Sequence, residues 1–154
     1  MMLFAPKVFP KLSTLSHAGR SMYVWVFYTF PLAFTLLLVP GLFLQVMGIS
    51  PGAADGNLFF MRMAGGLLVS MSFMSHQAAV LNMRQFFVWA VMGRTFITLV
   101  LIVCTVLGLC EPIIMFFGCI DFSGGMWTLV GIRRDEAEEQ ARALGPQVIA
   151  QPSP

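Results

Sequence analysis

Apolar residues run through the chain in four long stretches, at residues 22–39, 58–81, 85–109 and 112–132, separated by short breaks rich in glycine, proline and polar residues. Each stretch holds about 18–25 residues, enough to cross a hydrocarbon core of about 30 Å at about 1.5 Å per residue. The pattern predicts an all-α protein, a four-transmembrane-helix bundle. In the first stretch Tyr23, Trp25 and Tyr28 cluster at the start, as an aromatic belt at headgroup depth would. Pro31 sits inside it and Pro40-Gly41 near its end, so a kink is expected, with residues 42–49 either a bent continuation or a short interfacial helix. Gly48, Pro51, Gly52, Asp55, Gly56 and Asn57 then make a loop. Asn82-Met83-Arg84 is a tight connection, and Glu111-Pro112 places proline at a first helical position, where its missing N–H costs nothing.

Polar segments flank these stretches. Residues 1–21 form a short basic N-terminal tail with Lys7, Lys11 and Arg20, no acid, and prolines at 6 and 10. Such a leader resembles the start of an organelle transit peptide, but a basic tail lying on anionic headgroups is the preferred reading. Residues 22–132 make the transmembrane domain, and 133–154 a polar C-terminal helix and tail. Within the latter, RRDEAEEQARAL reads as a solvated helix, with Arg134–Glu138 and Glu138–Arg142 at four-residue spacing. Gly145-Pro146 should end it, leaving an extended tail to Pro154.

Composition agrees with a membrane class. The chain is 58% hydrophobic and 10% charged, against about 45–50% and about 25% in soluble domains. The net charge of +2 is too small to indicate nucleic-acid binding. Where the basic residues sit says more. Lys7, Lys11, Arg20, Arg84, Arg133, Arg134 and Arg142 all fall at one face, whereas the opposite loops hold only Asp55 and Glu111. By the positive-inside rule both termini face the cytoplasm of a bacterial inner membrane, or the matrix or stroma of an organelle.

Three charges lie within the stretches: Arg62, Arg94 and Asp121. A charge at mid-bilayer costs about 2.5–3.5 kcal/mol on insertion scales, so such groups turn inward and find partners. Counting from the turns places Asp121 between the two arginines in depth, so the three are expected to form one intramembrane cluster. Three helical faces support this: Arg62, Gly65, Val69, Ser72, His76 and Ala79; Ala90, Arg94, Thr98, Leu101, Thr105 and Gly108; and Gly118, Asp121, Gly125 and Thr128. Small and hydroxyl residues at these spacings let helices approach and hydrogen-bond, so the three stripes are expected to pack together. Arginine keeps its proton at any working pH, which makes a carboxylate beside it a poor proton carrier. A packing lock is therefore favoured over a proton site, although the surplus positive charge leaves room for an anion or headgroup. His76 and Thr98 form a secondary polar stripe.

No catalytic, metal or cofactor set emerges. Cys104, Cys110 and Cys119 show no CxxC spacing, and their odd number argues against a disulfide framework. The spans offer one histidine, scattered thiols and one aspartate, too few ligands for haem or metal. The serines lack a paired base and acid, and the twelve methionines suit flexible packing.

The segments LVPGLFLQVMGI (38–49), MGRTF (92–96) and FGCIDFSGGMWTLVGIRRD (117–135) resemble a group of small, uncharacterised four-span membrane proteins. The resemblance implies four spans and draws attention to Arg94 and Asp121; it implies no activity. The expected function is a structural or accessory subunit of a larger membrane protein complex, such as an energy-transducing one, surrounded by lipid and other subunits. The alternative is a small carrier or an anion- or headgroup-binding protein using Arg62, Arg94 and Asp121.

Overall fold

The computed structural model describes residues 10–49 and 58–149, so the first nine residues, most of the first expected loop and the last five residues lie outside the description. The described chain is all-helical: α1 (His17–Leu38), α2 (Pro40–Met47), α3 (Phe59–Val80), α4 (Arg84–Val106) and α5 (Met115–Ile149), with 3-10 turns at Leu12–Thr14 and Pro112–Ile114. Among the described residues three segments are long and apolar enough to cross a membrane: His17–Leu38, Arg84–Val106 and Pro112–Leu144. Helix α3 has the length, at 22 residues, but carries Arg62, three buried or exposed serines over its second half, His76 and Gln77.

Local chemistry sets the boundaries. Helix α1 starts at His17, ahead of the expected residue 22, because Ser16 caps it: its hydroxyl accepts from Gly19 N–H at 3.0 Å. The helix continues through Pro31 and breaks instead at Val39-Pro40, where proline begins the separate helix α2. Three helices close the same way, with the chain turning through a left-handed residue and a backbone N–H reaching back five positions. Gly48 (φ 68°) is followed by Ile49 N–H to Leu44 C=O at 2.9 Å, Asn82 (φ 52°) by Met83 to Ala78 at 2.9 Å, and Gly108 (φ 68°) by Leu109 to Cys104 at 2.8 Å.

Helix α5 departs most from expectation. It runs 35 residues without a break, so the change at Ile132–Arg133 is one of composition and not of secondary structure. Nor does Gly145-Pro146 end it; the helix closes about one further turn to Ile149. A proline ring removes one ladder hydrogen bond, and near a terminus little helix remains to be lost.

Helix α1 is the hub. It packs along α3 on one side and α5 on the other, and α4 packs along α5, whereas α3 and α4 have few direct contacts. The expected meeting of three polar stripes therefore does not occur: the α3 stripe faces α1, and the α4 and α5 stripes face each other. Helix α1 supplies what the stripes lacked, two faces of small residues that admit close neighbours. A Cβ on Gly65 would lie 2.5 Å from Leu37 N and 2.9 Å from Ala33 O, and one on Gly131 2.7 Å from Ala18 N. Backbones that approach this closely require glycine. The buried core, including Leu15, Met22, Tyr23, Ala79, Phe87 and Ile132, gathers where α1 begins and α3 turns into α4.

Candidate functional site

Arg94 is the centre of the buried polar chemistry. It sits midway along α4, only 8% exposed, and projects between α1 and α5. Its guanidinium carbon lies 4.2 Å from the centroid of the Trp25 ring. A guanidinium over an indole face is attracted by the ring quadrupole, more strongly where water is excluded. Nη2 also lies 3.6 Å from the sulfur of fully buried Met22. Glycine makes the space: a Cβ on Gly124 would meet the Trp25 ring at 2.5 Å and Arg94 Nη1 at 3.0 Å, while Gly125 lies against the Arg94 stem. Nη1 is buried without a hydrogen-bond acceptor among the described residues.

Asp121, one turn before these glycines on α5, is half-buried and within electrostatic reach of Arg94 and Tyr28. It makes no ion pair with Arg94: among the described residues, the ion pairs are His17–Glu138, Arg84–Glu136, Arg84–Glu139 and Arg142–Glu138. The Trp25 face stands where a carboxylate was expected. Arg62 lies elsewhere still. It donates from Nη1 to the carbonyls of Leu37 at 2.9 Å and Leu38 at 3.1 Å, closing the end of α1 at the Pro40 break. Those carbonyls lack helical donors, and a charged donor is a strong substitute. The three charges thus do not form one cluster; Arg94 and Asp121 are neighbours, and Arg62 is a helix cap.

The secondary stripe divides in the same way. The Thr98 hydroxyl lies 2.8 Å from Arg94 O and 3.2 Å from Gly118 O, a shared bond that ties α4 to α5. His76 instead faces α1, its ring 5.6 Å from that of Tyr23. Nearby, Ser72 donates to Thr29 at 2.8 Å, and Ser21 to Thr128 at 3.0 Å, so hydroxyls stitch α1 to α3 and to α5. Cys119 is exposed and Cys104 and Cys110 are half-buried, all free thiols. Among the described residues no group of His, Cys, Asp and Glu could hold a metal ion.

A second polar assembly lies where α1 begins. The carboxylate of Asp135 on α5 accepts from the N–H of His17 at 2.8 Å and of Ala18 at 3.0 Å, completing the first turn that Ser16 caps. The Ser16 hydroxyl also donates to Asn82 Oδ1 at 2.6 Å. Arg84, opening α4, pairs with Glu136 at 2.6 Å and Glu139 at 2.8 Å. A negative group at a helix N-terminus meets both the free amides and the positive end of the helix dipole. Residues 133–144 lie exposed apart from half-buried Asp135, yet the acids there also meet His17, Arg84 and the α1 amides, partners that the sequence reading did not assign. Trp25 was visible, but an aromatic residue near the start of an apolar run fits a headgroup belt as well as a buried face.

No protein-family model, curated protein or solved structure matches the chain.

Proposed function

We propose that the chain spans the bilayer four times, with α3 as the additional span, and acts as a structural or accessory subunit of a larger membrane protein complex. At 22 residues α3 reaches about 33 Å, sufficient for the core. Its polar residues Ser72 and Ser75 are buried, while Phe60, Met63, Leu67, Met71 and Met74 are exposed, a face suited to lipid or to a partner helix. An even number of spans puts both ends on one side. The contact of Asp135 with the start of α1 brings the two polar flanks together. The basic residues Arg20, Arg133, Arg134 and Arg142 lie in those flanks in sequence, and Arg84 pairs there with Glu136 and Glu139, which supports a cytoplasmic, matrix or stromal placement of both.

The observation that carries the subunit reading is how the polar groups are used. Arg62, Arg94, Ser21, Ser72 and Thr98 all bind neighbouring helices, whereas the outer faces are large and apolar, with Phe60 75% and Val106 80% exposed. Such a chain is built to be packed against. Isolation in mild detergent should bring down partner subunits in fixed ratio; a chain that migrates alone at its monomer size would defeat the proposal. Single cysteines introduced at Ser13 and Arg142 should react with an impermeant reagent from one side, and at Asp55 and Glu111 from the other.

The unpaired Arg94 Nη1 favours a second reading, an anion- or headgroup-binding carrier working through Arg94 and Asp121. In liposomes Asp121→Asn should then abolish a flux that the unaltered chain supports, and absence of any flux removes this reading.

A further inference from the structure

At the end of the molecule where α1 begins, the 3-10 turn, the α3–α4 connection and α5 line an open cleft of about 380 Å³. This volume lies within the range of small-molecule sites, about 300–1,000 Å³. Its charges are balanced: Arg20, Arg84 and Arg142 face it together with Asp135, Glu138 and Glu139. A simple anion entering would meet three carboxylates, and a simple cation three guanidinium groups. A ligand that carries both signs is the one complementary to such a lining.

Two of the cations have donors to spare. Among the described residues Arg20 uses Nε on Leu15 O at 3.0 Å and Nη2 on Ser13 O at 3.4 Å, out of five N–H groups. Arg142 is 79% exposed and holds Glu138 only loosely, at 3.4 Å. These are the groups suited to a phosphate. The Glu138 carboxylate, met by His17 at 3.0 Å and Arg142 at 3.4 Å, and the Glu139 carboxylate, paired with Arg84 at 2.8 Å, each keep further lone pairs that suit an ammonium group. Depth also fits. The apolar run of α5 ends at Ile132, which lines the cleft, so the cleft stands at the boundary between hydrocarbon-facing and polar chain. The α1 amides are not involved, because Asp135 already takes those of His17 and Ala18.

We infer that this cleft binds a phosphate ester bearing a primary ammonium group, the chemistry of a phosphoethanolamine headgroup, with Arg20 and Arg142 on the phosphate and Glu138 and Glu139 on the ammonium. The inference is independent of the subunit reading and of the Arg94 site.

The test uses the full chain, stripped of lipid in mild detergent, and follows melting as ligand is added. Phosphatidylethanolamine should raise the melting temperature by several degrees at saturation, and phosphatidylglycerol, which has the phosphate but no ammonium, should not. Free phosphoethanolamine in a parallel arm separates the sources: a shift with it means the headgroup alone suffices, and a shift with the lipid only means a membrane ligand. Arg142→Gln removes an exposed side chain and should leave the ligand-free melting temperature unchanged while weakening the phosphatidylethanolamine response roughly tenfold or more. Equal shifts from phosphatidylglycerol, no shift from either ethanolamine ligand, or an undiminished response in Arg142→Gln would each overturn the assignment.

Discussion

Asp135 binds the start of α1 with both carboxylate oxygens, and Asp135→Asn tests whether that contact stabilises the protein. The substitution keeps the shape but replaces one acceptor oxygen with an NH₂ donor, so either His17 or Ala18 N–H, now at 2.8 and 3.0 Å from an oxygen, must face another donor. A hydrogen bond to a charged group contributes about 1.5–3 kcal/mol, and loss of a helix cap costs about 0.5–2 kcal/mol. Asp135 is half-buried, so water partly compensates and the low end applies, about 1.5–2 kcal/mol. For a chain of this size that corresponds to a fall of roughly 3–8 °C in melting temperature. Melting of the full chain in mild detergent, followed by tryptophan fluorescence, gives the number. Hydrogen exchange at the His17 and Ala18 amides should quicken in the same variant. Arg134→Gln, at an exposed neighbouring position, should stay within about 0.5 kcal/mol of the parent. If Asp135→Asn melts with the parent and its amides remain protected, the first turn of α1 does not depend on α5.

The two adjacent glycines of α3 should respond with opposite signs. Gly65→Ala places a methyl 2.5 Å from the α1 backbone and should destabilise by about 1–3 kcal/mol, whereas nothing lies within 4 Å of a methyl at Gly66, so Gly66→Ala should stabilise by about 0.5–1 kcal/mol. A double-mutant cycle of Trp25→Leu with Arg94→Met should return a coupling of about 2 kcal/mol, and additive effects would show that the stacked guanidinium contributes nothing. Arg84→Gln should cost no more than about 1 kcal/mol per lost pair, and less at high salt, because Arg84 is 42% exposed; melting curves at two ionic strengths measure this.

Much of the architecture was legible because periodicity and length are local properties. The apolar runs, the turn at Asn82 and the proline opening the segment after Glu111 each follow from a few neighbouring residues. Pairing between helices was not legible in the same way. Opposite charges in three apolar runs suggested one ionic cluster, yet an indole face and a thioether surround Arg94, and backbone carbonyls hold Arg62. Hydrogen-bonding and π-face partners carry no charge and leave no sign pattern to read. Helix α1 was undervalued because Ala18 and Ser21 fall in what reads as the basic tail, ahead of the expected start at residue 22, and Ala33 lies among aromatics that dominate the helix's hydropathy. The glycines opposite them, Gly131 and Gly65, were the available clue.

The unbroken course of α5 has a mechanical consequence. Its 35 residues extend about 52 Å, of which about 30 Å suffices for the hydrocarbon layer. The remainder, about 20 Å, stands beyond the apolar boundary as a stiff lever continuous with the embedded part. A tilt of a few degrees in the apolar part of α5 would carry the polar part with it, and the pairs of Arg84 with Glu136 and Glu139 link that part to the start of α4.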